Sequence, residues 1–491
     1  RRAQHSRPET GQRRRRGHPQ NQRPMIRRVA PTRWLAVAVS ALSLLIAGAV
    51  SAMAATGRPP NILHVHSDDH RADALRALGN TELDTPHLDQ LVARGLSFRR
   101  CYTMGAMTPA VCLPSRTMML TGRSLFRIGP PSKNVPGTTP LPTVLKGAGY
   151  DTWRMGKYGN EYFAAAQAFD FNLNDNGQGE GEAGNRAYAS RRLADRAIAY
   201  LQNRDRAKPF YMYLAPPVPH DPAQAEAPFH QRYDAARLKL PPAYQPVHPW
   251  DNGATMVRDE LLAPWPRTPD AVRKQLADYY AAITGLDHHV GRIIAALREC
   301  GEYDNTIIVF SGDNGMSLGD HGLLGKQNLY EFGGMHVPLV IAGPGIPHGK
   351  SDALVYLFDL FTTFCEFAGA PVPAGTEGES LRPFIANANA RGRTALFTAY
   401  LESQRAVRDE RWKLIRYPQI DRTQLFDLAA DPHELNNLAD QPTHAATLAR
   451  MRALLQSEAT RWGDPAAWTS PVLKPAAWTP PAASEWVKPV H

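Results

Sequence analysis

A large α/β domain followed by a smaller α+β one is the fold this sequence predicts, on three observations. Two apolar runs, Asn61–Ser67 and Asn305–Phe310, read as buried strands, and both end in polar turns: Asp68-Asp69-His70-Arg71 and Ser311-Gly312-Asp313-Asn314-Gly315. Stretches with helical apolar spacing, Arg191–Leu201 and Gln275–Leu297, alternate with such strands, the order that builds a sheet flanked by helices. From Thr394 the pattern changes to short strands in close succession.

Taken in order, Asn61–Ser67 is the first strand, and acidic residues at the C-terminal end of such a strand are where α/β sheets place their sites. Thr85-Pro86 opens a helix, because proline fits the first turn, and Gly95 stops it. Tyr150–Met155 is a strand leading into Gly156-Lys157-Tyr158-Gly159-Asn160-Glu161-Tyr162. Asp175–Gly184 is Gly-rich and reads as a surface loop. Phe210–Leu214 is a buried strand that ends in Pro219-His220-Asp221-Pro222. From there to about Pro269 prolines are dense and periodicity is poor, which marks a long insertion of the kind that builds a substrate rim. Val337–Ala342 is a further strand and Phe358–Phe367 a helix. Leu396–Tyr400, Gln404–Val407 and Trp412–Tyr417 are the later strands, and a helix from about His444 to Trp462 closes the pattern before a Pro- and Trp-rich tail. The expected division is 59–375 for the catalytic domain and 376–491 for a C-terminal subdomain with its tail.

The chain has 491 residues and a formal charge of +10. Up to Trp34 there are eleven Arg against one Glu, and the remainder is balanced. The basic character therefore belongs to the leader and does not argue for a nucleic-acid-binding body. Residues 1–24 are Arg-, Gln- and Pro-rich and read as an unstructured upstream extension. Residues 25–54 read as a signal peptide: Arg27, Arg28 and Arg33 precede an apolar run from Trp34 to Val50, and Ala52-Met53-Ala54 offers a cleavage site. The apolar run is short for a bilayer span. The expectation is an exported protein, periplasmic or extracellular, with no stable membrane span in the mature chain; an uncleaved anchor is the alternative. Four cysteines are too few for a disulfide scaffold.

Chemistry concentrates in a few runs. In Cys112-Leu113-Pro114-Ser115-Arg116, Pro114 fits the first turn of a helix. Cys112 is then expected just ahead of that helix, where free N–H groups favour an anion, with Arg116 adding a fixed charge. A Cys-x-Pro alone is more often a small core cysteine. Asp68, Asp69, Asp313 and Asn314 form an all-oxygen set at strand ends, which suits a hard cation such as Ca²⁺ or Mg²⁺. Lys157 follows a strand end, Lys326 lies soon after the Asp313-Asn314 turn, and His220 follows a buried strand.

The run from Cys112 to Arg123, closing in Leu120-Thr121-Gly122-Arg123, resembles the signature of the formylglycine-dependent (type I) sulfatase family. Gly319–Glu331 and Leu425–Leu438 resemble that family too, and the likeness extends from about Asn61 to about Arg461. It implies an alkaline-phosphatase-like mixed sheet flanked by helices. It implies that a formylglycine-generating enzyme converts Cys112 into formylglycine, whose hydrate is the nucleophile and a further ligand of the metal held by Asp68, Asp69, Asp313 and Asn314. It implies that Arg116, Lys157 and Lys326 hold the sulfate and that His220, alone or with Lys326, is the acid for the leaving oxygen, with His321 a weaker candidate for substrate contact. Many sulfatases carry Gly-Lys-x-His after the third strand, where the histidine helps regenerate the aldehyde. Here Gly159 stands at that place, and the run Gly156–Tyr162 looks like the N-acetylglucosamine-6-sulfatase branch. The base for regeneration is thus unassigned, with His66 and His70 near in sequence. The branch likeness implies a sulfated carbohydrate as substrate. A phosphonate or phosphate ester hydrolase is the nearest alternative, and a non-catalytic carbohydrate-binding relative is the other.

Overall fold

The computed structural model describes residues 58–130, 135–157, 162–177, 181–465, 470 and 472–482. The expected upstream extension (1–24) and signal peptide (25–54), and Gly159, lie outside these residues. Eight strands form the main sheet: β1 (Asn61–Ser67), β2 (Leu96–Phe98), β3 (Asp151–Gly156), β4 (Phe171–Asn174), β5 (Phe210–Ala215), β6 (Thr306–Gly312), β7 (Leu339–Ala342) and β8 (Gly349–Ser351). Their order is β8-β2-β7-β6-β1-β5-β3-β4. β6, β1, β5, β3 and β4 run parallel, and β7 pairs antiparallel with β6 and β2.

The central parallel strands β1, β5 and β6 are covered on both faces, so they read as unbroken apolar runs rather than alternating ones. β1, β5 and β6 are buried along their whole length. Successive side chains still alternate between faces. Ile62 joins one core cluster, whereas Leu63 and Val65 join the other. Helices α1 (Pro86–Arg94), α3 (Ala189–Asn203) and α4 (Pro269–Glu299) cover one of these faces, while α2 (Cys112–Thr121) packs on the other. Gly95 does more than stop α1: a Cβ there would lie 2.3 Å from the Ile341 carbonyl oxygen of β7. α4 begins at Pro269, before the Gln275 expected from periodicity, because Thr268 caps it by accepting the Ala271 N–H at 3.2 Å.

Four further strands, β9 (Leu396–Tyr400), β10 (Gln404–Arg408), β11 (Trp412–Tyr417) and β12 (Arg422–Asp427), form an antiparallel sheet. Its fifth strand is Gly105–Ala106, parallel to β9, from the segment that leads to α2. A Cβ on Gly105 would lie 1.8 Å from the Ala399 carbonyl oxygen, so only glycine admits this pairing. Helix α5 (Ala445–Trp462) lies against this sheet. Among the described residues no helix is long and apolar enough to cross a membrane, and all four cysteines are free.

Three expectations are corrected. The strand expected over Val337–Ala342 is broken at Pro338 into His336–Val337, which pairs with Cys101–Tyr102, and β7. Cys112 is the first residue of α2 rather than the residue ahead of it, with Val111 as the cap. The expected 175–184 loop contains a short helix, Gly181–Gly184. The brief strands β2, β4 and β8 carry too few residues for a periodicity to register.

Candidate active site

The C-terminal ends of β1, β3, β5 and β6 converge on the start of α2. β1 ends at Asp68 and Asp69, both fully buried. Asp69 adopts a φ of 62°, the left-handed region that non-glycine residues seldom occupy, and there its backbone N–H donates to Asp313 Oδ1 at 2.9 Å. β6 ends at Asp313 and Asn314, whose Nδ2 donates to Asp69 Oδ1 at 2.7 Å. The first turn of α2 is locked onto this turn, since Ser115 Oγ donates to the Asp313 carbonyl at 2.5 Å. Arg116, wholly buried, sets Nε 2.8 Å from Asp313 Oδ2 and Nη2 3.5 Å from Asp68 Oδ1. At the C-cap, Gly122 takes a φ of 65°, and a Cβ there would meet Phe361 and Thr376 within 2.8 Å.

Cys112 Sγ points at Asp69 Oδ1, 3.3 Å away. Lys157, just past β3, places Nζ 3.0 Å from Asp68 Oδ2. Lys326 Nζ sits 2.6 Å from Asp69 Oδ2, 3.1 Å from His220 Nε2 and 3.5 Å from Cys112 Sγ. The His220 loop is held beside β1 by the Asp68 N–H, which donates to the Val218 carbonyl at 3.0 Å. The structure thus gathers Asp68, Asp69, Cys112, Arg116, Lys157, His220, Asp313, Asn314 and Lys326 into one cluster.

Other candidates lie elsewhere. His321 stacks on Tyr330 with ring centroids 3.8 Å apart. His70 is tied to Ser67 Oγ and to the Ala74 carbonyl, and His66 to Ser311 Oγ. Neither is drawn into the cluster around Cys112.

The carboxylates are crowded. Burial raises the Asp69 carboxyl to about 6, with Lys326 opposing and Asp68 and Asp313 adding to the rise. Burial pulls Asp68 the same way, but Lys157, His220, Arg116 and Lys326 together hold it well below the usual range. Burial, followed by the Asp313 and Asp69 charges, drives the Cys112 thiol well above its ordinary value. Thiolate enzymes do the opposite and lower the thiol with nearby cations.

Asp68 Oδ1 and Asn314 Oδ1 are buried and accept no hydrogen bond. Ligand atoms of Asp68, Asp69, Cys112 and His220 lie within 4.8 Å of one another. Orphaned oxygens inside a carboxylate cluster fit a hard divalent cation, which takes oxygen ligands and would relieve the crowding.

Sequence reasoning missed an outer layer. Asp259 Oδ2 accepts Gln327 Nε2 at 2.8 Å and lies 3.5 Å from Lys326 Nζ. Asp221 pairs with Arg258 at 3.0 Å, and burial, then the Asp259 charge, raises its carboxyl to about 7. Arg186 donates to the Asp221 carbonyl at 2.7 Å. Only the charge of Arg258-Asp259-Glu260 within a proline-rich insertion hinted at this layer.

Cys112 at a helix start, a carboxylate cluster at the ends of β1 and β6, and the cations Arg116, Lys157 and Lys326 around them form a site suited to an anionic ester. The Sulfatase family profile matches residues 60–370, and one described as N-sulphoglucosamine sulphohydrolase, C-terminal, matches 319–461. The chain belongs to the sulfatase family, and is a sulfuric ester hydrolase. It is 27% identical over 492 residues to an N-acetylglucosamine-6-O-sulfatase of Bacteroides thetaiotaomicron, covering 82% of this chain and 87% of that one. A protein solved in complex with its substrate D-glucosamine-2-N,6-O-disulfate superposes with a TM-score of 0.71 at 25% identity, covering 83% of this chain and 99% of that one. The phosphonate monoester hydrolase of Silicibacter pomeroyi superposes with a TM-score of 0.68 at 25% identity, covering 82% and 95%. The alkaline-phosphatase-like fold expected from the sequence is borne out.

Proposed function

We propose that this chain is an exported sulfatase that removes sulfate from a sugar or polysaccharide, using a formylglycine made from Cys112 and a divalent cation, Ca²⁺ or else Mg²⁺. One observation carries the reading: Cys112 Sγ lies 3.3 Å from Asp69 and 3.5 Å from Lys326, and Lys326 in turn lies 3.1 Å from His220. Nucleophile position, cation ligand and leaving-group acid are thereby adjacent. The Sγ atom stands where the hydrate oxygens of formylglycine would be. Asp68, Asp69, Asp313 and Asn314 would hold the cation, which supplies charge neutralisation of a sulfate oxygen and promotes ionisation of the hydrate.

The protein's own groups do the rest. Arg116, Lys157 and Lys326 surround the position where the sulfate oxygens gather charge, and preorganised cations there stabilise the transition state more than the ground state. His220 Nδ1 donates to the Asp221 carbonyl at 2.7 Å, which leaves Nε2 as the acceptor facing the Lys326 ammonium. The candidate acid for the leaving alcohol is therefore His220 together with Lys326, whose ammonium lies against Nε2. The sugar substrate rests on the named sulfatase relative and on the disulfated glucosamine bound by the structural neighbour. Export rests on the leader at 25–54.

The test is the mass of the tryptic peptide carrying Cys112, from protein matured in its native host. Conversion to the aldehyde lowers it by about 18 Da. An unmodified thiol in a host that matures its other sulfatases would overturn the mechanism. The neighbouring phosphonate monoester hydrolase supports a second reading. Turnover of matched aryl sulfates and aryl phosphonates separates the two: preference for the phosphonate would favour the second.

A further inference from the structure

The proline-rich stretch between β5 and α4 contains a short helical segment, Arg258–Leu262, that faces the loop carrying Lys326. Two consecutive acidic residues of this segment are buried. Glu260 accepts the backbone N–H of Leu324 at 2.9 Å and of Gly325 at 2.8 Å, and pairs with Arg267 at 2.9 Å. Arg267 in turn lies over the Trp265 ring, 4.0 Å from its centroid. Glu260 thus fixes the backbone just ahead of Lys326. Asp259 reaches the side chains: Gln327 Nε2 donates to it at 2.8 Å, Arg258 Nε donates at 2.8 Å, and Lys326 Nζ lies 3.5 Å away. Gln327 is itself anchored, since its carbonyl accepts Gln404 Nε2 at 2.9 Å from β10.

Lys326 therefore stands between two carboxylates, Asp69 at 2.6 Å and Asp259 at 3.5 Å. Asp69 has two claims on it, because it also belongs to the cation-binding set. A dication on Asp69 repels the ammonium, and an ammonium with no other anion within reach either blocks the ion or swings out of the site. Asp259 cannot follow it, being held by Gln327 and Arg258. Building on the sulfatase reading above, we propose that Asp259 is a positioning residue: it is the second anchor of Lys326, keeping the ammonium beside Cys112 and His220 while Asp69 turns to the metal.

The experiment compares wild type with Asp259→Asn, which keeps shape and removes charge. Calcium affinity is measured by calorimetric titration, and kcat and KM on aryl sulfates of graded leaving-group acidity. The expected result is calcium affinity weakened about 10-fold or more, the scale of a lost supporting partner at a metal site. The fall in kcat should be steeper for poor leaving groups, with KM little changed, because Lys326 no longer supports His220. Gln327→Met, which loosens Asp259 without removing its charge, should show smaller changes in the same direction and stands in if Asp259→Asn does not fold. Unchanged calcium affinity with an unchanged leaving-group slope would overturn the proposal. So would an equal loss across all leaving groups with calcium affinity intact, which would make Asp259 a structural brace. If matured wild type cleaves no sulfate ester, the sulfatase reading fails instead, and the calcium comparison still decides the role of Asp259.

Discussion

Arg116→Met tests whether the fold depends on charge compensation inside the site. Arg116 is wholly buried, 2.8 Å from Asp313 and 3.5 Å from Asp68. Methionine keeps much of the buried apolar stem, so the change is chiefly electrostatic. It leaves Asp68 and Asp313 without their shared guanidinium, next to a third carboxylate on Asp69. Breaking one side of a buried ion pair costs about 3–5 kcal/mol, and here the loss falls chiefly on Asp313, since Asp68 keeps Lys157 at 3.0 Å. With EDTA at pH 7 the variant should lose that much in urea unfolding. Two controls follow from the cause. The deficit should shrink toward pH 5: the Asp313 carboxyl, already raised by burial with Arg116 opposing, rises further without it, and a raised carboxyl favours the fold at lower pH. It should also shrink with excess calcium, because the ion supplies the missing positive charge and so binds the variant's fold more tightly than the wild type's. A deficit below about 1 kcal/mol, indifferent to pH and calcium, would refute the argument, since exposed pairs are worth no more than that.

Calcium binding itself should weaken on acidification. The Asp69 carboxyl, raised to about 6, must lose its proton to ligate the ion, so titrations at pH 5 should give a lower affinity than at pH 7.5. His220→Ala should cost about 10²-fold or more on a sugar sulfate and much less on a nitrophenyl sulfate, whose leaving group needs no proton, as steady-state kinetics would show. Gly122→Ala should lower the melting temperature: with φ at 65° and Phe361 and Thr376 within 2.8 Å of the new Cβ, the loss should exceed about 1 kcal/mol.

Long, fully buried strands and strongly amphipathic helices were legible because burial on both faces writes itself as an unbroken apolar run or a helical stripe. β1, α1 and β11 fall where their residues predict, and α4 differs at its start, where the first turn is polar. The short strands β2, β4 and β8 were not legible, since a strand of three or four residues is held by its neighbours rather than by its own pattern. Gly105–Ala106 is the extreme case: two small residues become a strand because β9 offers them an edge.

The site divides along a similar line. Asp68, Asp69, Asp313 and Asn314 could be read because each pair closes a strand, so parallel pairing of β1 and β6 alone brings them together. Cys112 and Arg116 were legible as a motif, and the structure adds why both belong to one helical turn: Ser115 and Arg116 bind the Asp313 turn while Cys112 faces Asp69. Asp221, Asp259 and Arg258 obey no such local rule. They come from connections whose path is set by tertiary packing, and their positions answer the charges of Lys326 and His220 rather than any periodicity. A buried lysine such as Lys326 needs a carboxylate from whatever chain packs over it. On the reading proposed above, a buried Lys326 with Asp69 committed to a cation needs a further anion, and the proline-rich insertion is the segment that carries Asp259 to within 3.5 Å of it.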